Sequence, residues 1–204
     1  RYKEHPFLGY RLKEDPFHWE NHLDTTLYPL LADHVVGDTV VFPAAGFVEM
    51  ALAAGALWRP GQNCDVEGLE ISAPLLLERN SSKTLRFRLD ARDGAFSIGS
   101  RARLSDDPWL VHVVGRIVEA ATTGAPAAAR PLPSTAPDAS ADLHYQRTLA
   151  VGLDYGPAFR PVQDVWIAED TATARLVTPE GVADEVAEAR LHPSYLDGAF
   201  QLLA

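Results

Sequence analysis

The chain has 204 residues, 18 basic against 28 acidic, for a formal net charge of −10. Hydrophobic residues at 47% and charged residues at 23% describe a globular chain of one large or two small domains rather than a disordered or membrane one. The acidity excludes non-specific nucleic-acid binding, no apolar run approaches the roughly 18 residues of a membrane helix, and the lone Cys64 excludes an internal disulfide or a multi-cysteine metal site.

The opening RYKEHPFLGY lacks the apolar stretch of a signal peptide, so the expected compartment is the cytoplasm. LADHVVGDTVVFP reads as apolar strand-like sequence that carries one polar ring, His34. Pro43 suits the first position of a helix, where its missing N–H costs nothing. The following AAGFVEMALAAGALW places Phe47, Met50, Ala51, Ala54 and Leu57 at helical spacing, with Glu49 its only charge. A helix apolar on nearly every side is a buried one.

Strand signals follow. TLRFRLDA at 84–91 sets Leu85, Phe87 and Leu89 against Arg86, Arg88 and Asp90, which predicts that the two arginines point to solvent. AFSIGSRARL continues through Phe96, Ile98, Ala102 and Leu104, and WLVHVVGRIV sets Trp109, Val111 and Val113 opposite His112. Asp93-Gly94 is the hairpin signal between two of these runs. The first unit, 1–119, is then an antiparallel sheet wrapped around one buried helix.

Residues 120–142 are rich in Ala, Pro, Ser and Thr and read as a semi-extended linker. The second unit, 143–204, holds strand-like DVWIAED and TATARLV, then His192-Pro193 and the apolar SYLDGAFQLLA. Laid over each other at an offset of 150 residues, Pro193 falls on Pro43 and Leu202 on Leu52. The pattern is two copies of one sheet-plus-helix unit, the second without strands after its helix.

Two polar groups stand where apolar ones belong. His34 precedes the first buried helix and Asp197 lies inside the second, with Gln201 four residues on, over the same helical face. A buried carboxylate is costly unless paired or protonated. Either residue alone is commonly structural. In paired repeats, however, each unit contributes one polar group, and the two can face each other across the joint. The phosphate-loop, dinucleotide, zincin and nucleophile-elbow motifs are missing, the histidine pairs have no clustered carboxylates that would hold a metal, and Cys64 has no basic neighbour to make a thiolate.

These residues resemble a known family. His34-Val-Val-Gly37-Asp-Thr-Val-Val-Phe-Pro43 is similar to the HxxxGxxxxP motif of polyketide synthase dehydratase domains, Gly152-Leu-Asp-Tyr155-Gly156-Pro157-Ala-Phe159 to their GYxYGPxF motif, and Asp197-Gly-Ala-Phe-Gln201 to their DxxxQ motif. HPFLG also resembles their HPLLG start. The motifs run in the family's order. The resemblance implies an α+β double hot-dog, two antiparallel sheets each wrapped around a central helix, with the second hot dog incomplete in this chain.

It also implies dehydration of a 3-hydroxyacyl thioester without a cofactor, the substrate riding on the phosphopantetheine arm of an acyl carrier protein. His34 would be the base and Asp197 the acid, which must hold a proton; an apolar setting favours that form and a helix N-terminus opposes it. Tyr155 and Gln201 would position the leaving hydroxyl and Asp197. Gly156 and Pro157 belong to the same motif, and Gly37 and Pro43 would shape the turn and the helix start, near which a backbone N–H can bind the thioester carbonyl. Two rivals stand beside this reading: a sister reaction (double-bond isomerisation, pyran formation or cyclisation) and a non-catalytic scaffold.

The expected partners are the carrier protein and other synthase domains, with a homodimer through the synthase and no nucleic acid or membrane. Carrier proteins of this kind are acidic, as the resemblance implies. The run 79–103, with seven basic residues (Arg79, Lys83, Arg86, Arg88, Arg92, Arg101, Arg103) against Asp90 and Asp93, is the candidate docking face on an otherwise acidic chain.

Overall fold

The computed structural model describes residues 2–78, 81–121 and 131–203. The first unit contains strands β1 (Tyr10–Arg11) and β2 (His18–Leu23), a 3-10 turn (Pro29–Asp33), β3 (His34–Val36), β4 (Thr39–Val40), helix α1 (Ala44–Trp58), β5 (Cys64–Ile71), β6 (Lys83–Leu89), β7 (Ala95–Ala102) and β8 (Leu110–Glu119). Six of these strands form one antiparallel sheet in the order β1-β2-β6-β7-β8-β5. Its inward residues, among them Trp19, Leu23, Leu85, Phe87, Phe96, Ile98, Val113 and Ile117, are almost fully buried. Against them lies α1, which buries Phe47, Met50, Ala51 and Ala54. Its small residues let helix and sheet approach closely: a Cβ on Gly55 would lie 3.1 Å from both Cys64 and Ile117.

Helix α1 covers the predicted span, but Pro43 is its N-cap rather than its first helical residue. The pairing of β7 with β8 departs from simple alternation. Ile98 pairs with Val113 and Gly99 with Val111, so His112 is the extra residue of a β-bulge. His112 and Val113 are therefore both buried, whereas Val111 is exposed, contrary to the predicted face. The His112 ring occupies the kink, with Nδ1 3.1 Å from the carbonyl of Ala73 and Nε2 2.7 Å from the Ser100 hydroxyl. Beyond the bulge β7 ends at Ala102, and Leu104, predicted on the inner face, is exposed in a left-handed conformation.

Arg86 also departs from expectation. Its guanidinium donates to Glu20 on β2 and lies 4.2 Å from the ring of Trp109, while Arg101 lies 4.8 Å from the same ring. Arg92 is tied to Asp90, and Arg79 lies outside the described residues. Arg88 is exposed.

The second unit contains β9 (Ala139–Ser140), α2 (Ala141–Ala150), β10 (Leu153–Tyr155), a 3-10 turn (Pro157–Phe159), β11 (Val162–Ala168), β12 (Thr171–Leu176), α3 (Ala183–Glu188), α4 (Pro193–Phe200) and a closing 3-10 turn (Gln201–Leu203). Strands β12, β11 and β9 form a second antiparallel sheet. Helices α2 and α3 have no counterpart in the sequence-based expectation. The first of them begins inside the span read as linker, capped by the Ser140 hydroxyl, which accepts from the N–H of Leu143. The middle of that span, 122–130, lies outside the described residues.

The two units are joined by a short ladder. β10 pairs antiparallel with β3, matching Leu153 with Val36, Asp154 with Val35 and Tyr155 with His34. The N–H of Gly37 donates to the carbonyl of Gly152 at 2.7 Å, and both glycines have positive φ, +59° and +86°. After Tyr155 the chain turns against Asp33, which accepts the N–H of Gly156 on its carbonyl and that of Ala158 on its carboxylate, each at 2.8 Å. A Cβ on Gly156 would lie 2.3 Å from Asp33 Oδ1, so only glycine fits. Gly156→Ala is expected to destabilise the protein by about 1–3 kcal/mol, as overpacking of a tight contact does. Urea unfolding checks it: the midpoint should fall with the slope unchanged.

Candidate active site

His34 opens β3 and Asp197 sits in α4, far apart in sequence and both nearly buried. Their side chains meet, His34 Nε2 standing 3.4 Å from Asp197 Oδ1. His34 Nδ1 lies 2.8 Å from the carbonyl of Val41. A carbonyl only accepts, so Nδ1 carries a proton, and Nε2 is the ring nitrogen that faces Asp197.

The other oxygen of Asp197 is also assigned by its neighbours. Gln201 Nε2 donates to Asp197 Oδ2 at 2.9 Å and to the carbonyl of Phe159 at 3.0 Å, which fixes the orientation of its amide. With Oδ2 facing a donor, a proton on the carboxyl resides on Oδ1, the oxygen nearest His34. Gln201 Oε1 faces His144 Nε2 at 3.4 Å. His144 comes from α2, and burial lowers its pKa, so it is a neutral donor to the glutamine. The result is a continuous chain from His144 through Gln201 and Asp197 to His34 and Val41.

Tyr155 stands opposite His34 in the ladder, its ring edge-on to the imidazole at 5.7 Å between centroids, and Phe159 flanks the same ring at 5.2 Å. Burial first, and the Asp197 charge second, push the Tyr155 phenol well up, so it remains a protonated donor. His34 and Asp197 border a cavity of about 410 Å³ whose other walls are mostly apolar: Val41, Phe42, Phe47, Leu75 and Phe200. Ala44, the first residue of α1, also lines it, and α1 starts without a side-chain cap. Unbonded N–H groups at a helix start suit an oxygen that gains negative charge. A base, an acid and such a helix start at one apolar cavity can remove a proton from carbon and deliver one to a departing oxygen.

The other expected positions act on the backbone. Gly37 forms the hairpin turn between β3 and β4, with nothing within 4 Å of where its side chain would be. It stands three residues after His34, whereas the motif places its glycine four after the histidine; Asp38 occupies that place, and the left-handed φ falls on Gly37. Pro43 caps α1, Gly156 makes room for Asp33, and exposed Pro157 starts the 3-10 turn that carries Phe159. Sequence reasoning missed His144 and Asp33. The Asp33-His34 adjacency was visible, but its partner, a backbone N–H 125 residues away, was not.

Comparison with known proteins places this geometry. Residues 5–103 match the family model described as polyketide synthase dehydratase domain, and residues 123–204 the model described as polyketide synthase dehydratase N-terminal domain. The spectinabilin polyketide synthase system protein NorA' of Streptomyces orinoci is 36% identical over 211 residues, which cover 96% of this chain and 6% of that protein. Among solved structures, the dehydratase domain from the terminal module of the rifamycin polyketide synthase superposes with a TM-score of 0.84 at 30% identity, over 98% of this chain and 75% of that one. Two mutants of the CurK dehydratase, one His→Phe and one Asp→Asn, each described as inactive, superpose at 0.82 with 26% identity, over 98% of this chain and 74% of theirs. The chain belongs to the polyketide synthase dehydratase domains and has their double hot-dog fold. Its relatives are multidomain synthases, of which the chain spans only a small part.

Three buried rings set a pH dependence. Burial holds His112, His144 and His192 below the ordinary histidine value of 6.5. The unfolded chain therefore takes up protons that the folded chain refuses, so stability is full above that value and falls as the pH drops through it. Thermal melts between about pH 7.5 and 5.5 should show a falling midpoint. A flat midpoint would mean that the rings accept charge in place.

Proposed function

We propose that this domain dehydrates a 3-hydroxyacyl thioester, delivered on the phosphopantetheine arm of an acyl carrier protein, to the 2-enoyl thioester during polyketide processing in the cytoplasm. The carrying observation is the 3.4 Å approach of His34 Nε2 to Asp197 Oδ1 at the end of an apolar cavity. His34 Nε2 takes the proton on the carbon next to the thioester carbonyl. Negative charge moves onto the carbonyl oxygen, for which the start of α1 supplies N–H donors. Asp197 Oδ1–H gives its proton to the 3-hydroxyl, the C–O bond breaks, the carbon–carbon double bond forms and water leaves. The protonated imidazole and the carboxylate left behind are in contact, so one proton transfer between them restores the starting state. All proton transfers are assigned to these side chains, and the proposal includes no metal or organic cofactor.

Tyr155 and Gln201 are positioning groups in this scheme. The phenol stays protonated and can hold the hydroxyl, while Gln201 keeps the acid's proton on Oδ1. The inactive His→Phe and Asp→Asn forms of the CurK dehydratase support the assignment of one histidine and one aspartate to the reaction.

Mass spectrometry of carrier-bound 3-hydroxyacyl thioesters incubated with the full-length protein tests the reading. Loss of one water is expected from wild type. His34→Ala and Asp197→Asn should each slow it by roughly 10²–10⁴-fold while the fold persists. Near-wild-type turnover in either variant removes that residue from the mechanism, and a product of the same dehydrated mass whose double bond is shifted or whose ring is closed, told apart by comparison with a synthetic 2-enoyl standard, assigns a sister reaction instead. Gln201→Ala should cost less than Asp197→Asn, because the amide orients the acid without reacting.

Docking of the carrier is assigned to the basic run on β6 and β7. Since Arg86 is engaged by Glu20 and Trp109, exposed Arg88 is the better probe. Arg88→Glu should raise KM for a carrier-bound substrate, more at low salt, and leave a carrier-free thioester unaffected. An equal response of both substrates would remove the face from docking.

A further inference from the structure

Glu49 is the one charge in α1 and is fully buried. Its carboxylate joins three distant segments. Oε1 accepts from His5 Nε2 at 2.9 Å and from the N–H of Arg190 at 2.7 Å, and Oε2 accepts from the N–H of Leu191 at 2.7 Å. His5 is a neutral donor here, because its Nδ1 accepts from the N–H groups of Phe7 and Leu8, each at 3.3 Å. Burial opposes the charge on Glu49, but the bonds from His5, Leu191 and Arg190 outweigh it and hold the carboxyl below its ordinary range.

The place of these bonds matters more than their number. Residues 190 and 191 lead directly into His192, the N-cap of α4, and Asp197 follows in the next turn. At its other end α1 is fixed to the base: His34 exchanges bonds with Val41, two residues before Pro43, through Nδ1 at 2.8 Å and through the N–H of Val41 at 3.1 Å. A closed frame results, running from His34 to Val41, along α1 to Glu49, across to 190–191, along α4 to Asp197 and back to His34. Among the described residues, Glu49 makes the only side-chain hydrogen bonds from α1 to the approach to α4. We propose that Glu49 is a positioning residue of the active site, whose buried carboxylate fixes the start of α4 on α1 and so sets the separation of His34 and Asp197. The inference rests on the dehydration reading for its kinetic consequence, not for its geometry.

Glu49→Gln separates this role from bulk stability. The amide oxygen still serves His5 and Arg190, but its NH₂ faces the N–H of Leu191, two donors opposed. In the full-length protein, kcat of the folded variant should fall about tenfold or more with KM within about twofold, because misplacement by ~1 Å costs catalysis and not binding. A crystal structure of the variant should show the His34–Asp197 separation opened by about 1 Å. If Glu49→Gln does not fold, Glu49→Asp keeps the charge, retracts it by one methylene and should give a smaller loss of the same kind. Wild-type kcat per folded molecule with an unchanged separation, whatever the melting temperature, overturns the proposal. A wild-type protein that loses no water overturns the dehydration reading instead, and the separation in the variant then decides the positioning role alone.

Discussion

The two units meet at the active site through three residue pairs between β3 and β10. Placing Tyr155 against His34 in register brings the second unit's tyrosine to the first unit's imidazole, and continues the second chain through the 3-10 turn that sets Phe159 beside the same ring. A slip of one residue would turn both side chains to the other face of the ladder. Register is held from both ends: the Gly37–Gly152 bond closes one and Asp33 closes the other by capping the turn after Tyr155. The glycines there are demanded by backbone, two by positive φ and one by the carboxylate that occupies its side-chain space.

Within that frame the polar groups leave little freedom. Val41 assigns the proton of His34, Phe159 assigns the amide of Gln201, and Gln201 assigns the free oxygen of Asp197. Each assignment ends on a backbone carbonyl, a group that cannot change its role. The pair is thereby held in a single arrangement, His34 Nε2 toward Asp197 Oδ1. Preorganisation of this sort is effective in an apolar enclosure, where polar interactions are stronger than in water and a wrongly placed proton is correspondingly costly.

Much of this was legible in the sequence, for a physical reason. His34 and Asp197 interrupt apolar runs, and burying such groups is expensive enough that their presence is informative. The span of α1 and three strands of the large sheet, β6, β7 and β8, followed from periodicity, whereas β1, β2 and β5 did not. What stayed hidden depends on partners that sequence does not display. Glu49 looked like an isolated charge because two of its three partners are backbone N–H groups near residue 190. His112 was placed on the wrong face because a bulge adds one residue to β8. Helix α2 was lost behind a stretch rich in Ala and Pro, although Ser140 before it, Asp142 in its first turn and Arg147 in its last are ordinary helix-end signals. With it went His144, whose position meant nothing until the helix placed it behind Gln201.

The cavity wall raises a different point. Residues 71–75 line it, yet none belongs to the motifs that carry the chemistry. Their path is held mainly through backbone: Phe42 N–H to Leu75 carbonyl, Leu77 N–H to Val40 carbonyl, and Ser72 N–H to His112 carbonyl. The His112 side chain pins the segment from behind, bonded to the Ala73 carbonyl and stacked near Phe47. Main-chain bonds and a buried ring keep the wall in place; of its side chains Leu75 is part of the core and the Ser72 hydroxyl bonds back to the carbonyls of Val111 and His112, whereas Ile71 is exposed. The fold thus holds the cavity wall by bonds separate from those that fix His34 and Asp197.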